Sequence, residues 1–232
     1  MADLAPWLLV GLGNPGSKYA HNRHNVGFMA VDRWLDRHGT PGADGWREKF
    51  HGAFSSVSGR FGRCIVLKPL TFMNLSGKSV AAAATFFRVP PSKLIVLHDE
   101  LDFDFGRLAI KKGGGHGGHN GLRDIIAATG SRDFLRVRMG IGRPPRGNMD
   151  VAAWVLKDFS YEESADLTDL VDRAHEAATA VMTQGVSTAM NAINQTASKD
   201  GPKGPKAKKG VGKAEPTLSV VPPPSDDPAP EG

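Results

Sequence analysis

The sequence predicts an α/β fold: a single domain over residues 1–198 with a central mixed sheet covered by helices on both faces, followed by a disordered C-terminal tail over 199–232. Short apolar runs bounded by Gly and Pro alternate with amphipathic stretches along the first part, the pattern of strands feeding helices. The 232-residue chain is 40% hydrophobic and 23% charged, which supplies a sizeable core and excludes disorder of the whole. Residues 199–232 instead hold eight Pro, five Gly and six Lys with almost no large apolar side chain, a composition that cannot offset the entropy of ordering.

Residues 7–12 (WLLVGL) read as a short buried strand stopped by Gly13-Asn14-Pro15-Gly16. From Asn25 the apolar positions Val26, Phe28, Met29, Val31, Trp34 and Leu35 recur near helical spacing until Gly39, which suits the position just past a helix end. Strands follow at 51–57 and 63–68, with Gly59 and Gly62 bracketing the hairpin between them. Asn74–Phe87 is Ala-rich and helical, with Asn74 as a possible N-cap and Pro90-Pro91 as the stop. Leu94–His98, Leu108–Lys111 and Leu135–Ile141 read as further strands, and Leu122, Ile125 and Ile126 as the apolar side of a helix. The last long helix opens with the capping box Ser160-Tyr161-Glu162-Glu163 and carries Leu167, Leu170, Val171, Ala174, Ala178, Val181 and Met182 on one stripe. Gly185 breaks it before a final turn or two.

Composition then narrows the function classes. Apolar runs such as Leu94–Leu97 and Val80–Ala84 fall far short of the ~20 residues that span a bilayer, and no basic-then-apolar leader precedes Trp7, so a cytoplasmic protein without a membrane partner is expected. The single cysteine, Cys64, lies in the apolar run CIVL and excludes an internal disulfide or a cysteine-based zinc cluster. The net charge of +5 conceals an asymmetry: residues 1–156 carry 21 Lys and Arg against 12 acids, while 157–198 carry 2 against 7. A basic body points to a polyanionic partner. The acidic stretch reads as the solvated face of the last helix. The tail lysines at 199–213 read as a solvated run, with weak, salt-sensitive attraction to nucleic acid as the alternative.

Several motifs bear on chemistry. Gly11-Leu12-Gly13-Asn14-Pro15-Gly16 matches GxGxxG after a strand, but the helical pattern waits until Asn25 and Asp32 lies inside that helix, so a dinucleotide site is not expected. His24 precedes the helix, and Asp99 follows the strand LIVLH at the carboxyl end of the sheet, where open α/β sheets hold their ligands. An Asp that accepts the Nδ1–H of a histidine leaves Nε2 free to take a proton from water. His98-Asp99-Glu100-Leu101-Asp102 matches no hard-metal loop, and His116 with His119 lacks a third nearby ligand, so no metal and no cofactor is expected. Lys111-Lys112 followed by five glycines in six positions offers backbone N–H groups beside positive charge, the ingredients of a phosphate site. Arg136 and Arg138 alternate along one strand and share a face, where two guanidiniums suit phosphate; a salt-bridged sheet face is the plainer reading.

Taken together, the strings GLGNPGSKYAHNRHNVG, KPLTFMNLSG, HDELD, GGGHGGHNGL and RVRMGIGRP, in this order and over residues 7 to about 195, resemble the bacterial-type peptidyl-tRNA hydrolases. The resemblance implies a monomeric, cytoplasmic esterase without metal or cofactor that recycles tRNA by cutting the ester between a peptide and the 3′ ribose of peptidyl-tRNA. By this likeness His24 is the catalytic base and Asp99 its orienting acid. Asn14, Asn74 and Asn120, with Tyr19 and Met73 beside them, bind the substrate, and Lys111 and Arg138 hold the 5′-phosphate region near the tRNA acceptor end. Asn22 stands where the family pattern has Thr, and the Lys/Pro-rich tail has no counterpart in it. A catalytically silent RNA-binding module on the same fold is the alternative.

Overall fold

The computed structural model describes residues 5–145 and 149–199, with side chains as far as Gln195. The disordered-tail expectation falls, from residue 200 on, outside these described residues. Seven strands form one sheet: β1 (Trp7–Gly11), β2 (Arg47–Lys49), β3 (Gly52–Gly59), β4 (Gly62–Pro69), β5 (Leu94–Glu100), β6 (Leu108–Lys112) and β7 (Leu135–Gly140). Their order is β2-β3-β4-β1-β5-β7-β6. β4, β1, β5 and β7 run parallel, while β2 opposes β3, β3 opposes β4 and β6 opposes β7, so the sheet is mixed as expected. The helices are α1 (Val26–His38), α2 (Ser76–Phe87), α3 (Asn120–Thr129), α4 (Val151–Val155), α5 (Ser164–Gln184) and α6 (Val186–Lys199).

Both faces of the sheet are covered, which is why the parallel strands read as continuous apolar runs rather than alternations. Leu9 of β1 packs with Val26, Val31 and Trp34 of α1 and with α5. Leu8 and Val10 point the other way, into Val80 and Ala83 of α2 and Leu122 and Ile125 of α3. Helix α1 lies unusually close to β1: a Cβ on Gly27 would come within 2.4 Å of the Leu97 carbonyl and 2.5 Å of the Leu12 nitrogen, and one on Gly11 within 2.2 Å of the Gly27 carbonyl. Gly11 therefore serves helix–strand contact, and no helix opens inside the GxGxxG string.

Four local readings change. The strand expected to start at 51 is preceded by β2 and a two-residue turn, Phe50 and His51, both left-handed (φ 59° and 53°). Such a turn usually announces itself as Asn-Gly, and neither residue does. Asn74 caps nothing; it lies in a 3-10 turn over Met73–Leu75, and α2 begins without a side-chain cap. At the capping box, the Glu163 carboxylate accepts the Ser160 N–H (2.7 Å), but the helix starts only at Ser164, with Glu163 rather than Ser160 at its N-cap. Helix α6 is longer than a turn or two because its anchor is tertiary. Asn194 accepts the Ile110 N–H (2.8 Å) and donates to the Ile110 carbonyl (3.0 Å), covering the edge strand β6.

Candidate active site

The parallel strands deliver their carboxyl ends to one rim, and a cavity of about 850 Å³ opens there. Asn14 reaches it from the turn after β1, and Tyr19 and His24 from two short 3-10 turns before α1. Met73 and Asn74 come from the link between β4 and α2, Asp99 from the end of β5, and His119 and Asn120 from the start of α3. The structure thus brings together seven of the expected residues: His24, Asp99, Asn14, Tyr19, Met73, Asn74 and Asn120.

At the centre, His24 Nδ1 lies 2.8 Å from Asp99 Oδ1, and His119 Nε2 lies 2.9 Å from the same oxygen. Asp99 is fully buried, and burial alone would raise its pKa; His24 and His119 outweigh that and hold the carboxyl well below the usual carboxylate range. An ionised carboxylate only accepts, so both facing nitrogens carry protons. The other nitrogen of His119 accepts the Gly121 N–H (3.1 Å) and so fixes its tautomer as the N-cap of α3. In the neutral His24 ring, which lines the cavity, the proton on Nδ1 leaves Nε2 bare. Burial works against charge on its ring, but the Asp99 carboxylate prevails and raises its pKa above the ordinary histidine value. His98, beside them, donates Nδ1–H to the Asp99 carbonyl (2.7 Å), and burial with the neighbouring His119 pushes its pKa down to about 3, so it stays neutral.

Amides frame this trio. Asn14 Oδ1 accepts the Met73 N–H (2.9 Å), which leaves its NH₂ as the group offered to a ligand. The Asn14 backbone is gripped at both ends by Asn25: its N–H donates to Asn25 Oδ1 and its carbonyl accepts from Asn25 Nδ2, each at 2.9 Å. Asn120 Oδ1 accepts from Arg123, again leaving an amide donor. Replacing Asn25 with Ala strands two buried backbone groups at about 1–3 kcal/mol apiece. Asn25→Ala is therefore expected to lose about 2–6 kcal/mol of stability in chemical denaturation at pH 7.

Lys111 and Arg138 lie away from the cavity, on the β6–β7 side of the sheet. The register Lys111↔Arg136 and Ala109↔Arg138 puts Lys111, Arg136 and Arg138 on one face. Arg138 stacks over Phe103 and donates to Glu100 (2.9 Å), which does line the cavity. The reading of two guanidiniums open to phosphate needs correction. Arg136 is buried and donates to the Gly114 and Gly115 carbonyls, so it ties down the glycine-rich loop instead.

Sequence reasoning missed three parts of the site. In the sequence His119 reads only as a metal ligand with His116, although its place immediately before a helix is the signal for a cap. Asn25 reads in the sequence as a helix start, with nothing local to show its bonds to the Asn14 backbone. The cavity wall from α4 (Val151, Ala152, Val155) and Leu156 left no trace, because five residues are too few to show a period. His24, Asp99 and His119 also offer three ligand atoms within 4.8 Å of one another, and in this structure both nitrogens are hydrogen-bonded to the same Asp99 oxygen.

The family model described as peptidyl-tRNA hydrolase matches residues 8–201. A peptidyl-tRNA hydrolase of Sorangium cellulosum is 49% identical, covering 88% of this chain and 89% of that protein. One from Frankia alni is 48% identical, covering 82% and 94% respectively. The crystal structure of a peptidyl-tRNA hydrolase from Acinetobacter baumannii superimposes with a TM-score of 0.74 at 38% identity, over 82% of this chain and 95% of that one.

Proposed function

This chain belongs to the peptidyl-tRNA hydrolase family and is an enzyme that hydrolyses peptidyl-tRNA; we propose that it does so with His24 as general base, Asp99 as the group that orients it, and water as nucleophile. The observation that carries this reading is the His24 Nδ1···Asp99 Oδ1 contact of 2.8 Å at the floor of an amide-lined cavity. Water held at Nε2 loses its proton to the ring as its oxygen attacks the ester carbonyl. The imidazolium so formed is stabilised by the carboxylate and returns the proton to the departing ribose oxygen. The amides of Asn14, Asn74 and Asn120 grip the peptide backbone and meet the developing oxyanion, a contact worth about 3–4 kcal/mol where well aimed. Neutral amides read backbone without selecting a side chain, which suits a substrate of varied peptide; Tyr19 and Met73 complete the walls. The silent RNA-binding alternative has no feature in its favour, since the base, its acid and all three asparagines are in place.

Lys111 and Arg138 supply the contact to the 5′-phosphate region of the tRNA acceptor end. Arg138 lies one strand and Lys111 two strands beyond His98 and Glu100, on a shared face, which supports that role. Phosphate contacts of this kind position the substrate without reading sequence and weaken with salt. The enzyme acts as a monomer in the cytoplasm, where translation generates its substrate. The test is deacylation of peptidyl-tRNA, with aminoacyl-tRNA bearing a free amine as control, by wild type and by the Lys111→Ala, Arg138→Ala double variant. The double variant is expected to raise KM about tenfold or more for peptidyl-tRNA, two phosphate contacts being lost, and to spare a minimal ester that lacks the phosphate. Equal losses on both substrates contradict the clamp, and no hydrolysis by wild type contradicts the catalytic reading.

A further inference from the structure

Arg23 immediately precedes His24, yet its side chain turns away from the cavity into the protein and is 3% exposed. Its guanidinium lies between two rings, 4.0 Å from the centre of Trp154 and 4.7 Å from that of Phe159. Both ends of its fork meet the Glu163 carboxylate, Nη1 to Oε1 at 3.0 Å and Nη2 to Oε2 at 2.6 Å. The backbone is fastened to the same segment: the Arg23 N–H donates to the Lys157 carbonyl (3.0 Å) and the Phe159 N–H to the His21 carbonyl (3.3 Å). Asn22, at the position where the family pattern has Thr, adds a bond from Nδ2 to Asp158 Oδ1 (2.6 Å). Residues 157–163 therefore form a strap that grips the turn carrying the base, and the strap continues directly from α4 and Leu156, the wall of the cavity.

We infer that Arg23, locked by Glu163 and the Trp154–Phe159 ring pair, is a positioning residue that fixes the His24 ring against Asp99. The inference rests on the reading of His24 as general base. A 3-10 turn of three residues has too few internal hydrogen bonds to hold an imidazole, and here none of them comes from a side-chain cap. Asn25 ties its far end to the Asn14 backbone, and on the Arg23 side the turn is fixed by a planar fork whose geometry a carboxylate matches and whose faces two rings hold. An error of about 1 Å at a catalytic group can cost about 10²-fold in rate, so an anchor one residue from the base bears on turnover while touching no substrate.

Two variants test it. Arg23→Lys keeps the charge but loses the fork and the stacking plane; Glu163→Gln keeps the shape but loses the charge. Both are assayed on peptidyl-tRNA and on a minimal ester, with rates normalised to the folded fraction, beside His24→Ala. Each is expected to lower kcat about tenfold on both substrates with KM within about twofold of wild type. The acid limb of the rate profile is expected to move to lower pH, because a ring that drifts from Asp99 loses the contact that raises its pKa; His119, the other titratable group against it, stays in place on α3. The Arg23→Lys, Glu163→Gln double variant is expected to be no worse than the poorer single one, since both break the same lock. Wild-type kcat and an unmoved acid limb in both single variants, whatever their Tm, overturn the inference. Should Arg23→Lys fail to fold, Glu163→Gln decides alone. Substantial turnover by His24→Ala sinks the reading of the base itself, which separates that failure from this one.

Discussion

His24→Ala is expected to reduce kcat for peptidyl-tRNA by about 10²–10⁴-fold, the range associated with a positioned proton acceptor. The effect falls on the chemical step because the lost atom is Nε2, which faces the cavity, whereas no contact to the β6–β7 face passes through the ring. Affinity for tRNA is thus expected to stay within about twofold of wild type. Single-turnover hydrolysis together with equilibrium binding separates the two quantities. A variant that still hydrolyses the ester at wild-type rate removes His24 from the mechanism. The remaining members of the trio survive the change: His119 keeps its bonds to Asp99 and to the Gly121 N–H.

Asp99→Asn is expected to cost about 10²-fold or more in kcat and to move the acid limb of the rate profile to lower pH. The sign follows from the charge. In the folded enzyme the Asp99 carboxylate, acting against burial, raises the His24 pKa above its ordinary value of about 6.5. Only the neutral ring can accept a proton, so wild-type activity fades as pH falls through that raised value. With a neutral amide in place of the carboxylate, burial dominates and the ring stays unprotonated to lower pH, while the imidazolium of the transition state loses its counter-charge. Slower turnover with a wider acid range is the signature; an unmoved limb would show that His24 is not the group titrating. The same pair shapes stability. Asp99, depressed in the fold, contributes above its unfolded pKa of about 3.9, and that contribution disappears as pH falls through the folded value. His24, raised in the fold, contributes below about 6.5, and its share is lost as pH rises through the folded value.

How far the sequence could be read follows the range of the forces involved. The parallel strands were visible because burial on both faces demands uninterrupted apolar runs, as in LLV of β1 and LIVL of β5. The main helices were visible because each leaves one stripe dry. His24 and Asp99 could be nominated from their places at a helix start and a strand end, and five spaced motifs put them in one family. What stayed hidden was decided by contacts between distant segments. Strand β2 is three exposed residues whose pairing depends on a strained turn, α4 is too short for a period, and α6 is held by Asn194 across 84 positions. Arg136 and Arg138 look equivalent in sequence, yet one is buried under the glycine loop and the other sits beside Glu100. Only packing separates them.

The strand order carries a consequence for biosynthesis. Strand β1, made before the other six, becomes the middle of the sheet, with Cys64–Leu67 on one side and Leu94–Leu97 on the other. At ribosomal speeds of about 5–20 residues per second, its apolar edges wait about 4–17 seconds for both neighbours to be synthesised. Nascent chains stalled before residue 94 therefore present an unmatched hydrophobic ribbon, the kind of surface that chaperones bind and that aggregates when they do not. A hydrolase of peptidyl-tRNA is thus itself most vulnerable when its own translation halts in that window.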